Sequence, residues 1–165
     1  MEFQRQISRK LYEEHIAVIG LLERFGQALA GLKAQQQPAA SDALWSVLLA
    51  QLGSALQHEI TRHFALEEDQ LFPLLHARGE GELAELLLEE HEAIREVAHP
   101  LLELVSRARL GELDGAGWRS LKANGLELVE RLTSHAQKEQ GALVPLVDEM
   151  LDERTDDALW NEYAN

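Results

Sequence analysis

Residues 63–75 read HFALEEDQLFPLL, and residues 135–147 read HAQKEQGALVPLV. Counted from His63 and His135, each stretch has a glutamate four places on (Glu67, Glu139), then leucine (Leu71, Leu143), proline (Pro73, Pro145) and leucine (Leu74, Leu146) at matching offsets. The two stretches are copies of one pattern. Residues four apart on a helix lie about 40° apart around its axis and one turn apart along it, so each histidine and its glutamate point the same way. An imidazole and a carboxylate on one face of an otherwise apolar helix is an expensive arrangement, and it occurs here twice.

A second repeat lies outside the first. LYEEHIAV supplies Leu11, Glu13, Glu14, His15 and Ala17, which answer Leu87, Glu89, Glu90, His91 and Ala93 of LLEEHEAI. The first half of the chain therefore resembles the second. Such a match predicts approximate internal two-fold symmetry, with each half supplying one set of side chains to a shared centre.

Apolar spacing places these motifs on four helices. Leu11, Ile16, Ile19, Leu22, Phe25, Leu29 and Leu32 mark a first amphipathic helix from about Gln4 to Lys33. Pro38 breaks it, and Ser41 or Asp42 offers an oxygen to cap a second helix that runs to about His76. After the glycine-bearing turn ARGEGE, Leu83, Leu86, Leu87, Ile94, Val97 and Leu101 mark a third helix ending near Arg109, with a kink expected at Pro100. LGELDGAG is the next turn, with Asp114 before a fourth helix from about Trp118 to Leu151. ERTDDALWNEYAN closes the chain as a polar tail or one further short helix. The fold class is all-α: one domain over residues 1–165, an antiparallel up-down-up-down four-helix bundle.

Composition narrows the function. A formal net charge of -14 repels phosphate backbones and anionic headgroups, which argues against nucleic acid and membrane as partners. The absence of cysteine excludes disulfides, thiol nucleophiles and clusters held by the chain's own thiolates, so any metal must take nitrogen and oxygen ligands. No stretch reads as a secretory signal or membrane span, and the cytoplasm is the expected location.

Each helix supplies one histidine inside an apolar stripe, and six ionisable groups converging in a bundle core need a common partner. The six are His15, His63, Glu67, His91, His135 and Glu139. Four neutral imidazoles and two carboxylates suit iron or manganese better than calcium or magnesium. Each glutamate would bridge a metal pair and each metal would take two histidines, with room for a bridging oxygen and an open position. His58, His76 and His99 read as surface or packing residues. Glu59, four residues before His63, shares its face and is expected to hydrogen-bond a ligand histidine or to enter coordination in one redox state. Tyr12 reads as a packing residue that could also border the centre.

These residues resemble the hemerythrin-like (HHE cation-binding) family, in which His, His-x-x-x-Glu, His and His-x-x-x-Glu fall on four successive helices. The likeness runs across nearly the whole chain. It implies two non-haem iron ions, oxo- or hydroxo-bridged, and binding of or reaction with a small molecule such as dioxygen, nitric oxide or peroxide, with a redox partner protein. An iron or oxygen sensor and an iron storage or delivery module are the alternative roles. The family's oxygen carriers have a further histidine four residues after that of helix three, where this chain has Arg95. The ligand set is thus more similar to the symmetric four-histidine, two-glutamate centres of iron-centre repair proteins, which carry a cysteine-bearing segment that this sequence lacks.

Overall fold

A computed structural model describes residues 2–165, and among them the chain is helical, without strands. Helix α1 spans Gln6–Ala30 and ends at Gly31, short of the expected Lys33. Helix α2 starts at Ala43, where the Asp42 carboxylate accepts the Trp45 N–H at 3.0 Å. It continues to Ala77 with two wide π turns, Glu59–His63 and Glu67–Leu71. Helix α3 spans Gly81–Arg109 and passes Pro100 without interruption. Helix α4 spans Gly115–Gly141, capped by Asp114 accepting from the Gly117 N–H at 2.8 Å. Gly79 and Gly111, with φ of 85° and 72°, make the left-handed steps of the α2–α3 and α3–α4 turns.

The expected fourth helix to Leu151 is interrupted. Pro145 has no N–H to bond backward, and the chain breaks at Ala142 and restarts as α5, Leu143–Met150, with the proline in its first turn where no intrahelical donor is needed. The equivalent Pro73 is absorbed differently, by the π turn that ends at Leu71. One sequence pattern thus has two backbone solutions.

The closing segment is a helix, α6, Glu153–Ala164, capped by Asp152 accepting from the Thr155 N–H at 2.7 Å. It folds back on α1. Arg5, at the start of α1, offers no side-chain cap; instead Asp156 accepts from the Gln6 and Ile7 N–H groups at 2.8 and 3.0 Å, and Asp148 from Gln4 and Arg5 at 3.1 and 2.8 Å. Carboxylates at a helix N-terminus satisfy its free donors and oppose its dipole.

Neighbouring helices pack in a ring, α1 on α2, α2 on α3, α3 on α4 and α4 on α1. The buried interior has two apolar clusters. One runs from Val18, Phe25 and Leu29 to Trp45, Leu101 and Trp118; the other gathers Ile7, Leu11, Leu71, Leu87, Leu143 and Tyr163 around the opposite end. Each fully buried leucine contributes about 1.5–3 kcal/mol. His15 lies between Leu11 and Val18 on α1, His91 between Leu87 and Ile94 on α3, and the polar layer they belong to separates the two clusters. No helix among the described residues is long and apolar enough to cross a membrane.

Candidate metal centre

The bundle brings all six predicted side chains to one buried point. His15, His63, Glu67, His91, Glu139 and His135 are each 0–1% exposed. Their inward atoms form two groups, His15, His63, Glu67 and Glu139, and then Glu67, His91, His135 and Glu139, with every candidate ligand atom of a group within 4.8 Å of the others. The glutamates belong to both. Glu67 lies 3.2 Å from His63 Nε2 through Oε1 and 3.1 Å from His91 Nε2 through Oε2. Glu139 lies 2.9 Å from His135 Nε2 through Oε1 and 2.9 Å from His15 Nε2 through Oε2.

These separations test whether the donors suit a metal. Two nitrogens each about 2.1 Å from one ion and 90–110° apart around it would be about 3.0–3.4 Å from each other. His15 Nε2 and His63 Nε2 face one another at 3.2 Å. Both oxygens of Glu67 and Glu139, and the Nε2 atoms of His91 and His135, are buried without a satisfactory hydrogen bond. Buried polar atoms rarely stay orphaned, and here the orphans share a single focus. The donor set fits a cation.

Three carboxylates hold the imidazoles from outside. Glu14 Oε2 accepts from His63 Nδ1 at 2.7 Å, Glu68 Oε1 from His91 Nδ1 at 2.7 Å, and Glu90 Oε2 from His135 Nδ1 at 2.8 Å. Such contacts fix the ring and leave Nε2 as the inward donor. Glu90 also takes the Lys138 ammonium, and Glu68 takes Arg95 at 2.8 Å. Arg95 further lies over the Phe64 ring, which stacks on His91 at 3.6 Å between centroids. The residue at the place of the carriers' extra histidine is therefore bound into the outer shell.

Of the two roles that the sequence offers Glu59, a hydrogen bond to a ligand histidine or coordination in one redox state, the structure gives the first to Glu14. Glu59 is buried, but its carboxylate is 3.9 Å from His63 Nδ1, the position that Glu14 fills. His58, read as bland, bonds Glu14 Oε1 at 3.2 Å and lies 3.2 Å from the Tyr163 hydroxyl. His76 and His99 are exposed, as expected, and Tyr12 packs against Phe3. The signal that could have found two of the outer carboxylates was present: Glu14 and Glu90 recur at equivalent places before His15 and His91.

Charge follows geometry. Burial opposes ionisation of His63, yet the carboxylates of Glu59, Glu67 and Glu14 hold its pKa well above the usual value. Burial likewise opposes His91, which Glu139 and Glu67 raise to about 9. Glu14, despite burial, is lowered to about 2 by its bonds to His63 and Tyr163. The site stabilises positive charge at His63, His91 and His135, and cations could supply it in place of protons.

No curated protein matches the chain significantly. The family model described as the hemerythrin HHE cation binding domain matches residues 6–147, a span that contains all six converging side chains. The chain thus belongs to the hemerythrin HHE cation-binding family.

Proposed function

We propose that the centre holds two iron ions and that the protein binds or reacts with a small molecule such as dioxygen, nitric oxide or peroxide. The observation that carries this reading is the sharing of Glu67 and Glu139 between two histidine pairs, since two ions side by side would use both oxygens of each carboxylate. Four imidazoles with two carboxylates match iron's preference for mixed nitrogen and oxygen ligands. Held by His15, His63, Glu67, His91, His135 and Glu139, ferrous ions would supply electrons to the small molecule.

The chain's own residues orient, shield and admit. Glu14, Glu68 and Glu90 fix the outer nitrogens of three histidines, and Phe64 covers the face of His91. A groove of ≈ 710 Å³ between α1 and α2 reaches Glu14, His58 and Glu59, wide enough for a diatomic molecule or peroxide to approach the outer shell. Among the described residues no serine, threonine or lysine side chain hydrogen-bonds any of the six groups, so any redox chemistry belongs to the ions, with a partner protein as electron donor.

Metal analysis with an ultraviolet-visible spectrum tests the reading. Two irons per chain are expected, with charge-transfer absorption that nitric oxide or peroxide perturbs. Glu67→Ala and Glu139→Ala are each expected to lose both ions together. A folded protein from iron-rich medium that carries only zinc, or nothing, would reject the redox role. Rapid loss of iron to a mild chelator with the fold kept would favour storage or delivery.

A further inference from the structure

The internal two-fold pairs His15 with His91, His63 with His135, Glu67 with Glu139 and Glu14 with Glu90. It should also pair the outer carboxylate Glu68 with the residue that follows Glu139, and that residue is Gln140. The geometry around each is matched: Glu67 Oε2 lies 3.1 Å from His91 Nε2, and Glu139 Oε2 lies 2.9 Å from His15 Nε2. On one side Glu68 completes the set by accepting from His91 Nδ1 at 2.7 Å. On the other, His15 Nδ1 is buried without a partner, and so is Gln140 Nε2. The two atoms are orphaned separately, and the register of the repeat assigns them to one hydrogen bond. An amide presents oxygen or nitrogen by a half-turn of its terminal group, so Gln140 can offer His15 an acceptor.

We infer that Gln140 is the outer partner of His15, and that this one neutral amide makes the two metal positions unequal, the ion held by His15 and His63 being the first to leave. The inference rests on the two-metal reading above. A carboxylate on the outer nitrogen raises the basicity of a ligating imidazole, and charged acceptors bond roughly twice as strongly as neutral ones. His91 and His135 both have carboxylates; of the other pair only His63 does. Glu59 does not make up the difference by a hydrogen bond: it lies 3.9 Å from His63 Nδ1, which Glu14 already serves, and leaves His15 Nδ1 without a partner. Arg95 and Lys138 draw on Glu68 and Glu90, but their side chains are 27% and 36% exposed, where water screens them. Gln140 is a positioning residue, acting on the ion through His15.

Stepwise removal of iron by a chelator tests it, read by absorbance and by the Mössbauer spectrum of the intact protein. The wild type is expected to release iron in two phases separated about 10-fold or more in rate, and to show two quadrupole doublets. Gln140→Glu should slow the early phase until the two merge and should bring the doublets together. Gln140→Leu, which offers no acceptor, should quicken the early phase alone, and Glu68→Gln should quicken the late one. Circular dichroism establishes that each variant is folded. Release of two ions in one phase from the wild type, or an early phase that Gln140→Glu and Gln140→Leu leave unchanged, would overturn the role of Gln140 while leaving the two-metal reading intact. A folded wild type that takes up no ion would remove that reading and this inference with it.

Discussion

The Tyr163 hydroxyl, on the last helix, donates to Glu14 Oε2 at 2.7 Å, and the same oxygen accepts from His63 Nδ1 at 2.7 Å. The C-terminal helix thereby ends in the outer shell of the centre. Tyr163→Phe removes one hydrogen bond to a charged acceptor and leaves the ring in place, so about 1.5–3 kcal/mol of stability should be lost. Glu14→Gln strikes the imidazole directly and should weaken metal retention about 10–100-fold. Urea denaturation and chelator competition measure the two effects, and a Glu14→Gln variant that retains metal like the wild type would separate Glu14 from the site.

Asp156 anchors the other end of α6. It is 4% exposed and accepts from the Gln6 and Ile7 N–H groups, the task that a capping residue of α1 would otherwise perform. Asp156→Ala should cost about 1–2 kcal/mol, and Asp156→Asn should recover part of it because an amide oxygen still caps. Thermal denaturation of the two variants is the measurement. Equal losses would mean that charge, and not the hydrogen bond, holds the clasp.

The converging side chains were legible in sequence because a four-residue spacing is geometry: His63 with Glu67 and His135 with Glu139 must share a face of their helix. The outer shell was harder to read because it crosses between helices. Glu14 sits beside His15 in the chain but serves His63, and Glu68 serves His91; no periodicity along one helix reveals such a pairing. Symmetry of the repeats predicted the convergence but not the break at Ala142, since Pro145 and Pro73 occupy the same place in the pattern, while Gly141 and Ala142 stand at the break where the other copy has Asp69 and Gln70. The polar look of the tail concealed its function, although Leu159 and Tyr163, four apart and both buried, mark the face that docks.

The metal-free protein should have a stability maximum in mild acid. His91 binds its proton more tightly folded, at about 9 against 6.5, so its contribution is complete below pH 6.5 and disappears as pH rises through about 9. His63 and His135 shift in the same direction. Glu14 shifts oppositely, to about 2 from 4.5, so its contribution is present above pH 4.5 and is lost as pH falls toward about 2. The urea midpoint of the metal-free form should therefore be greatest between pH 4.5 and 6.5 and decline toward pH 9. Metal replaces those protons, so the loaded form should keep its midpoint at pH 9. A metal-free midpoint that rises steadily to pH 9 would show that the imidazoles are not paired with the carboxylates as described.

Fold and site can also be separated by a change far from the ligands. Gly125 is buried on α4 where it meets α1, and a Cβ there would lie 2.6 Å from Leu29 Cδ1 and 3.0 and 3.1 Å from the Phe25 ring. Alanine favours the helix by about 1 kcal/mol over glycine, while overpacking a filled core costs about 1–3 kcal/mol. Leu29 and Phe25 are both 0% exposed, so the Leu29 methyl has to shift inside the packed core and overpacking should win. Gly125→Ala is expected to lower stability by about 1–2 kcal/mol. His135 lies ten residues along the same helix, about 15 Å away, so iron content and its spectrum should be unchanged. If Gly125→Ala lowers iron content in parallel with stability, helix spacing at the far end of the bundle controls the ligand geometry, and the two apolar clusters do not act independently.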